Sequence, residues 1–183
     1  MDYTVAVPEL RPAPSKAAPR LRQFLSTWAS IGAICESSRW LGQRMARAVE
    51  GTALPIVELG AGYGAITRHL PANTISIERE PGRFNHLKTN FPERTIIDTC
   101  AVAFMDELKQ PTVVISSIPS VNNPEFGELR ASVSRAFNAG MIEKFVVYTY
   151  FPVNPFAGVF PKSEMIGYEL RNLPPAFVWS YSC

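Results

Sequence analysis

The chain has no uncharged apolar run approaching the ~18 residues that a membrane-spanning helix needs, which excludes a transmembrane helix. It is poor in cysteine. Cys35, Cys100 and Cys183 are odd in number, scattered, and form no CxxC pair, so a disulfide framework is excluded and reduced cytosolic cysteines are expected. Only His69 and His86 could join them, which offers no zinc-type ligand set, and no metal is expected. The opening MDYTVAVPELRPAPSKAAPR lacks an apolar h-region and a cleavage site, so no secretory signal is expected and the location read from sequence is cytoplasmic. Net charge is also small, 18 basic against 16 acidic residues, and by itself selects no partner.

What is present is enough for one packed domain and short for two: 183 residues, 46% of them hydrophobic. Residues 1–19 are rich in Pro and Ala without periodicity and read as a flexible arm, ahead of a single domain at 20–183. That domain opens with a helical segment, 20–50. RLRQFLSTWASI (20–31) puts Leu21, Leu25 and Trp28 on one stripe, and SSRWLGQRMARAVEG runs from a serine cap at Ser37 or Ser38 to Gly51. Between positions 11 and 47 seven basic residues face one acid, Glu36, so this stretch carries 7 − 1 = +6 and the remainder −4. Such a segment suits an anionic surface, lipid headgroups at the inner membrane face or nucleic acid; a solvated helix face is the equally weighted plain reading.

After Gly51 short β runs alternate with helical stretches. LPIVELG (54–60), TISIERE (74–80), RTIIDT (94–99), PTVVISSI (111–118) and KFVVYTY (144–150) are strand candidates; AITRHL, PGRFNHLKTNF, FMDELK and PEFGELRASVSRAFNAG are the helical stretches between them. Alternation of this kind gives an α/β fold with a mostly parallel sheet and helices on both faces. The tail, SEMIGYELRNL followed by PPAFVWSYSC, leaves no room for a helix and is expected to close one edge as an antiparallel hairpin, for seven strands in all.

Chemistry concentrates in PIVELGAGYGAIT, where Gly60, Gly62 and Gly64 follow the first strand. A glycine turn lets a ligand approach the backbone and aims helix N-terminal amides at it. No Gly-Lys-Ser/Thr follows, which excludes a Walker phosphate loop, and the spacing is not GxGxxG, which argues against a dinucleotide. Glu58 lies inside the strand, placed to meet a ligand ammonium or to brace the turn. Glu78 ends the second strand, where a carboxylate can accept from ribose hydroxyls. Together the acids favour a ligand with a ribose and a cationic amino-acid tail over one with a pyrophosphate.

VELGAGYGAIT with ISIE resembles the first two motifs of class I S-adenosylmethionine-dependent methyltransferases, whose fold is Rossmann-like. The likeness narrows further. FLSTWASIGAICESSRWLGQRMA (24–46) resembles the segment preceding the glycine turn in bacterial phospholipid N-methyltransferases. VVISSIP (113–119) resembles their S-G-L-P loop, and YTYFPVNPF (148–156) and RNLPPAFVWSY (171–181) their closing segments. The resemblance covers about 24–181; rRNA adenine dimethylases, with N-L-P-Y in place of SSIP, are more distant.

The resemblance implies S-adenosylmethionine as the cofactor. Gly60, Ala61, Gly62, Tyr63 and Gly64 would line its methionine and ribose, Glu58 would sit near the ammonium, and Glu78 would bind the ribose. Ile34, Ser37 and Ser38 would form a lip over the methionine tail, and Asp98, Thr99 and Cys100 would lie by the adenine. Ser116, Ser117, Ile118 and Pro119 would stand where donor and acceptor meet, flanked by Tyr148 and Tyr150, for which alternate-face strand packing is an equal reading. Either the site binds the neutral amine or a nearby group takes its proton, for which Tyr148, Tyr150 and Glu36 are the polar candidates. Four departures stand out: Glu36 replaces the proline of A-P-S-S, TCA (99–101) replaces G-D-A with the acid moved to Asp98, Ser117 replaces a glycine, and Val147 replaces a glutamine. The expected activity is N-methylation of an aminophospholipid such as phosphatidylethanolamine. The alternatives are a soluble amine or a nucleic acid base, and a catalytically silent binding protein. Nucleic acid is not expected as a partner, because no basic domain follows the catalytic one.

Overall fold

The computed structural model of the protein describes residues 37–121 and 123–183. The expected arm at 1–19, the helix at 20–31, Ile34 and Glu36 lie outside the described residues.

Seven strands form one sheet: β1 (Ile56–Leu59), β2 (Ile75–Ile77), β3 (Thr95–Ile97), β4 (Thr112–Ser116), β5 (Ile142–Thr149), β6 (Lys162–Glu169) and β7 (Ala176–Ser182). Their order is β3-β2-β1-β4-β5-β7-β6. The first five run parallel, and β7 pairs antiparallel with both β5 and β6. Every strand read from the sequence is present, and the tail hairpin closes the sheet edge. β4 is buried along its whole length, as a central parallel strand with both faces covered must be, and its run TVVIS is correspondingly apolar.

Strand alternation divides the core. Ile56, Ile115, Val146 and Val178 face helix α1 (Arg39–Arg47) and the glycine-turn segment, while Val57, Leu59, Val114, Phe145 and Val147 face helices α3 (Ala101–Asp106) and α4 (Phe126–Asn138). Helix α2 (Pro81–Asn90) packs Leu87 against Ile96 and Ala61, on the α1 side of the sheet. Ser38 caps α1, its hydroxyl accepting from the Leu41 amide at 3.3 Å, and Leu41, Met45 and Ala46 form the buried stripe. The helix proper stops at Arg47; residues 48–51 unwind through turns to Gly51, whose φ of +77° only glycine adopts at ease.

One element departs from expectation. AITRHL yields only a three-residue 3-10 turn, Thr67–His69, where a helix is read from the sequence. Pro71 follows directly and forbids continuation, and the Thr67 hydroxyl is committed to Glu58. The glycine turn therefore has no full helix dipole behind it.

Residues 150–161 fold back over the α4 face. Phe156, fully buried in this irregular segment, meets Phe145 with ring centroids 4.7 Å apart, Phe126 at 5.4 Å and Tyr181 at 5.7 Å. The Tyr181 hydroxyl donates to Asn154 Oδ1 at 2.7 Å, and the same oxygen accepts from the Phe156 amide, so the segment is tied to β7 by one asparagine. Phe156→Ala should cost about 3–5 kcal/mol, the range for emptying a buried aromatic site, read as a lowered urea midpoint with an unchanged slope.

Candidate functional site

In a doubly wound sheet, ligands bind outside the carboxyl ends of the strands where the chain reverses direction, here between β1 and β4. A cavity of about 220 Å³ lies there. Its walls come from four successive strand ends: Gly60 after β1, Glu78 after β2, Thr99 and Cys100 after β3, and Ser117, Ile118 and Pro119 after β4. Val102 and Leu129 of the α3–α4 layer add apolar lining.

The glycine turn is stitched to β2. The Gly60 and Ala61 amides both donate to the Ile77 carbonyl, at 2.9 and 3.0 Å, and the Gly62 amide donates to Glu78 Oε2 at 2.8 Å. Gly60 has φ +73°, and a Cβ there would stand 2.7 Å from Ile118 Cγ1. Position 60 therefore tolerates no side chain on either conformational or steric grounds. Gly64, at φ +85°, would drive a Cβ into the Phe91 ring. Glu78 is nearly fully buried at the cavity wall, its second oxygen accepting from the Glu80 amide at 2.9 Å. Two main-chain donors thus fix the carboxylate and leave each oxygen a further lone pair for a ligand hydroxyl.

The loop after β4 is shaped by Ser116 and Ser117. Ser116 is buried, with its hydroxyl accepting from the Ile118 amide at 3.3 Å, and is not among the residues lining the cavity. Ser117 does line it, and its buried Oγ has no hydrogen-bond partner. An orphaned hydroxyl in a cavity wall is a group waiting for a ligand or a water.

The other residues singled out by sequence lie elsewhere. Glu58 is fully buried beneath the turn. Its Oε2 accepts from Thr67 Oγ1 at 2.7 Å and Ser76 Oγ at 2.8 Å, and its Oε1 has no partner. Of the two roles open to it, the geometry displays the brace: one carboxylate ties β1, β2 and the 3-10 turn. Burial is the main cause that pushes its pKa up, partly offset by the two hydroxyls. Asp98, one residue past the end of β3, is exposed and outside the cavity lining, whereas Thr99 and Cys100 of the following loop line the wall. Tyr63 is 40% exposed and packs edge-on to His86. Ala61 packs under α2. Tyr148 and Tyr150 pack T-shaped at 5.6 Å on the α1 side, with Ser37 Oγ donating to the Tyr148 hydroxyl at 3.3 Å. Ser38, besides capping α1, donates its amide to Asn172 Oδ1 at 2.8 Å.

Two groups were invisible in sequence. Arg79, directly after Glu78, meets Glu125 at the N-cap of α4 by paired contacts of 2.6 and 3.1 Å, and both residues line the cavity. The pair spans the cavity from the β2 side to the α4 side. Arg83 joins Arg79 at the wall.

No family model matches the chain, and no curated protein matches its sequence. Solved structures do match in shape. A TehB-like SAM-dependent methyltransferase from Corynebacterium glutamicum is 16% identical, with a TM-score of 0.51, covering 89% of this chain and 96% of that one. TrmN from Thermus thermophilus is 11% identical with a TM-score of 0.56, covering 79% and 49%. The bifunctional kinase-methyltransferase WbdD is 15% identical with a TM-score of 0.53, covering 79% of this chain, which spans only 38% of WbdD. At these identities the likeness defines the fold, which is the Rossmann-like fold of class I methyltransferases, with its mostly parallel seven-stranded sheet and antiparallel C-terminal pair.

The Glu58 geometry carries a pH signature. A carboxyl whose pKa is raised on folding supports stability fully below the unfolded value of about 4.5 and loses that support as pH rises through the folded value. Glu58→Gln removes the titration while keeping the shape. The urea midpoint of the variant, relative to wild type, should therefore rise between pH 5 and pH 8; a difference constant across that interval would contradict a raised Glu58 pKa.

Proposed function

We propose that the protein is an S-adenosylmethionine-dependent N-methyltransferase whose acceptor is the amine of an aminophospholipid such as phosphatidylethanolamine. The observation that carries the reading is one cavity walled by Gly60, Glu78 and the Ser117–Ile118–Pro119 loop together. These are the segments that the sequence resemblance assigns to cofactor and acceptor.

The residues present fit the cofactor. Glu78, held by the Gly62 and Glu80 amides, has lone pairs left for both ribose hydroxyls. Gly60 sets bare backbone in the cavity wall, and the apolar side chains of Val102 and Leu129 suit a flat aromatic base. Bound there, S-adenosylmethionine would supply a methyl group already activated on a sulfonium. The protein's share is then alignment and exclusion of water. Ser117 Oγ, lacking any internal partner, accepts a hydrogen from the incoming amine and turns its lone pair toward the methyl. Since an alkylammonium has no lone pair, the amine enters as its free base.

A soluble amine is the second reading, favoured by Ser117 filling a position that is glycine in the resembled S-G-L-P loop, which narrows the acceptor side.

Incubation with methyl-labelled cofactor and phosphatidylethanolamine vesicles should give mono- and further methylated lipid. Cofactor binding without any labelled lipid, alongside labelled soluble amines, would transfer the assignment to the second reading. Glu78→Ala should weaken cofactor binding about 10- to 100-fold by calorimetry, the loss expected for hydrogen bonds to a charged group. Ser117→Ala should lower kcat while leaving cofactor affinity unchanged.

A further inference from the structure

The turn between β6 and β7, residues 170–175, points its side chains in two directions. Asn172 is buried: its Oδ1 accepts from the Ser38 amide at 2.8 Å and its Nδ2 donates to the Pro174 carbonyl at 2.7 Å. Glu169, also buried, accepts from the Arg171 amide at 3.1 Å and from its guanidinium at 2.8 and 3.1 Å. The arginine beside it holds that carboxyl down at about 2, so the clamp is closed at every physiological pH. A turn fixed this firmly presents Leu170 and Leu173 outward, 68% and 66% exposed. They are two of the three most exposed large apolar side chains among the described residues.

Beside them Trp40 lies between two guanidiniums, Arg39 at 4.5 Å and Arg171 at 4.8 Å from its ring centroid. At this end of the sheet Arg39 and Arg171 are exposed, while Glu169, the acid of the turn, is buried and paired with Arg171 and with Arg44 at 3.7 Å. The surface presented is therefore basic and apolar at once.

We propose that this patch is a docking surface for an anionic phospholipid membrane. Two exposed leucines projecting from an ordered turn suit a deformable apolar medium, the acyl boundary of a bilayer. Trp40 then stands at headgroup level, and its flanking arginines meet lipid phosphates. Nucleic acid would satisfy the arginines but give the leucines nothing. The placement suits the cavity: the Thr149↔Phe177 register sets the start of β7 beside the end of β5, so the turn and the cavity share the carboxyl end of the sheet. The inference rests on the lipid-acceptor reading for its purpose, but its test does not.

The full chain is floated with vesicles of phosphatidylcholine alone or mixed with phosphatidylglycerol, without cofactor and without any amine-bearing lipid that the enzyme could methylate. Wild type should partition onto the anionic vesicles, and high salt should weaken that binding. The double variant Leu170→Ser, Leu173→Ser should lose about tenfold or more of it, the loss expected for withdrawing two buried leucines. Arg39→Gln should reduce both affinity and salt dependence. Circular dichroism and cofactor binding of each variant check the fold. Wild type that fails to float, a double variant that floats like wild type, or a preference for RNA over vesicles would each overturn the proposal. Docking through the turn with no lipid methylated would leave it standing and overturn the acceptor instead.

Discussion

The convergence of the Gly60 and Ala61 amides on the Ile77 carbonyl is the contact on which the site depends. It fixes the glycine turn against the end of β2, and two residues further on Gly62 reaches Glu78. Turn and carboxylate are thereby one rigid unit, so a ligand that meets Glu78 also meets bare backbone. Only residues without a Cβ permit this closeness, since Ile118 of the facing loop already fills the space above Gly60. The β1 and β4 ends are in contact through the same two residues, which couples the glycine turn to the Ser117–Pro119 loop directly.

Glu58 secures this unit from below, and at a cost. A fully buried carboxylate with one orphaned oxygen is expensive in an apolar sheet. Thr67 and Ser76 offset part of the cost by donating to the same oxygen, and doing so ties the 3-10 turn to the two strands beneath the glycines. With no full helix after the turn, this brace replaces the anchoring that a long helix would otherwise provide.

Most of the sheet was legible in the sequence because the five parallel strands are rich in β-branched residues and bounded by Gly, Pro or polar residues, and because the alternation of strands and helices admits few topologies. Gly60, Glu78, Thr99, Cys100 and Ser117, which the sequence resemblance assigns to the site, all line the cavity, each just past a strand end. Three things were not legible. The direction of Glu58 depended on partners 9 and 18 residues away whose types, Thr and Ser, are unremarkable in sequence. Asp98 turned on where β3 ends, because beyond Ile97 the course of the loop sets which residues reach the wall. Arg79 and Glu125 lie 46 residues apart at ordinary exposed positions, and only the fold brings them together.

The cavity and the β6–β7 turn are built on different physics. The cavity wall is rigid because main-chain hydrogen bonds hold it, and among its buried side-chain polar atoms the unpartnered one is Ser117 Oγ. The β6–β7 turn is rigid because Glu169 and Asn172 are buried and saturated, which commits the remaining turn residues to point outward. Ordering a turn costs conformational entropy whether or not it binds anything. A turn that is ordered in advance and displays leucines therefore meets an apolar partner without a further ordering cost. On the proposed reading, preorganisation at both places means that docking and methyl transfer need no conformational change to be joined: whatever would bring Leu170 and Leu173 to a bilayer would also bring the carboxyl end of the sheet, and the cavity in it, to the headgroup layer.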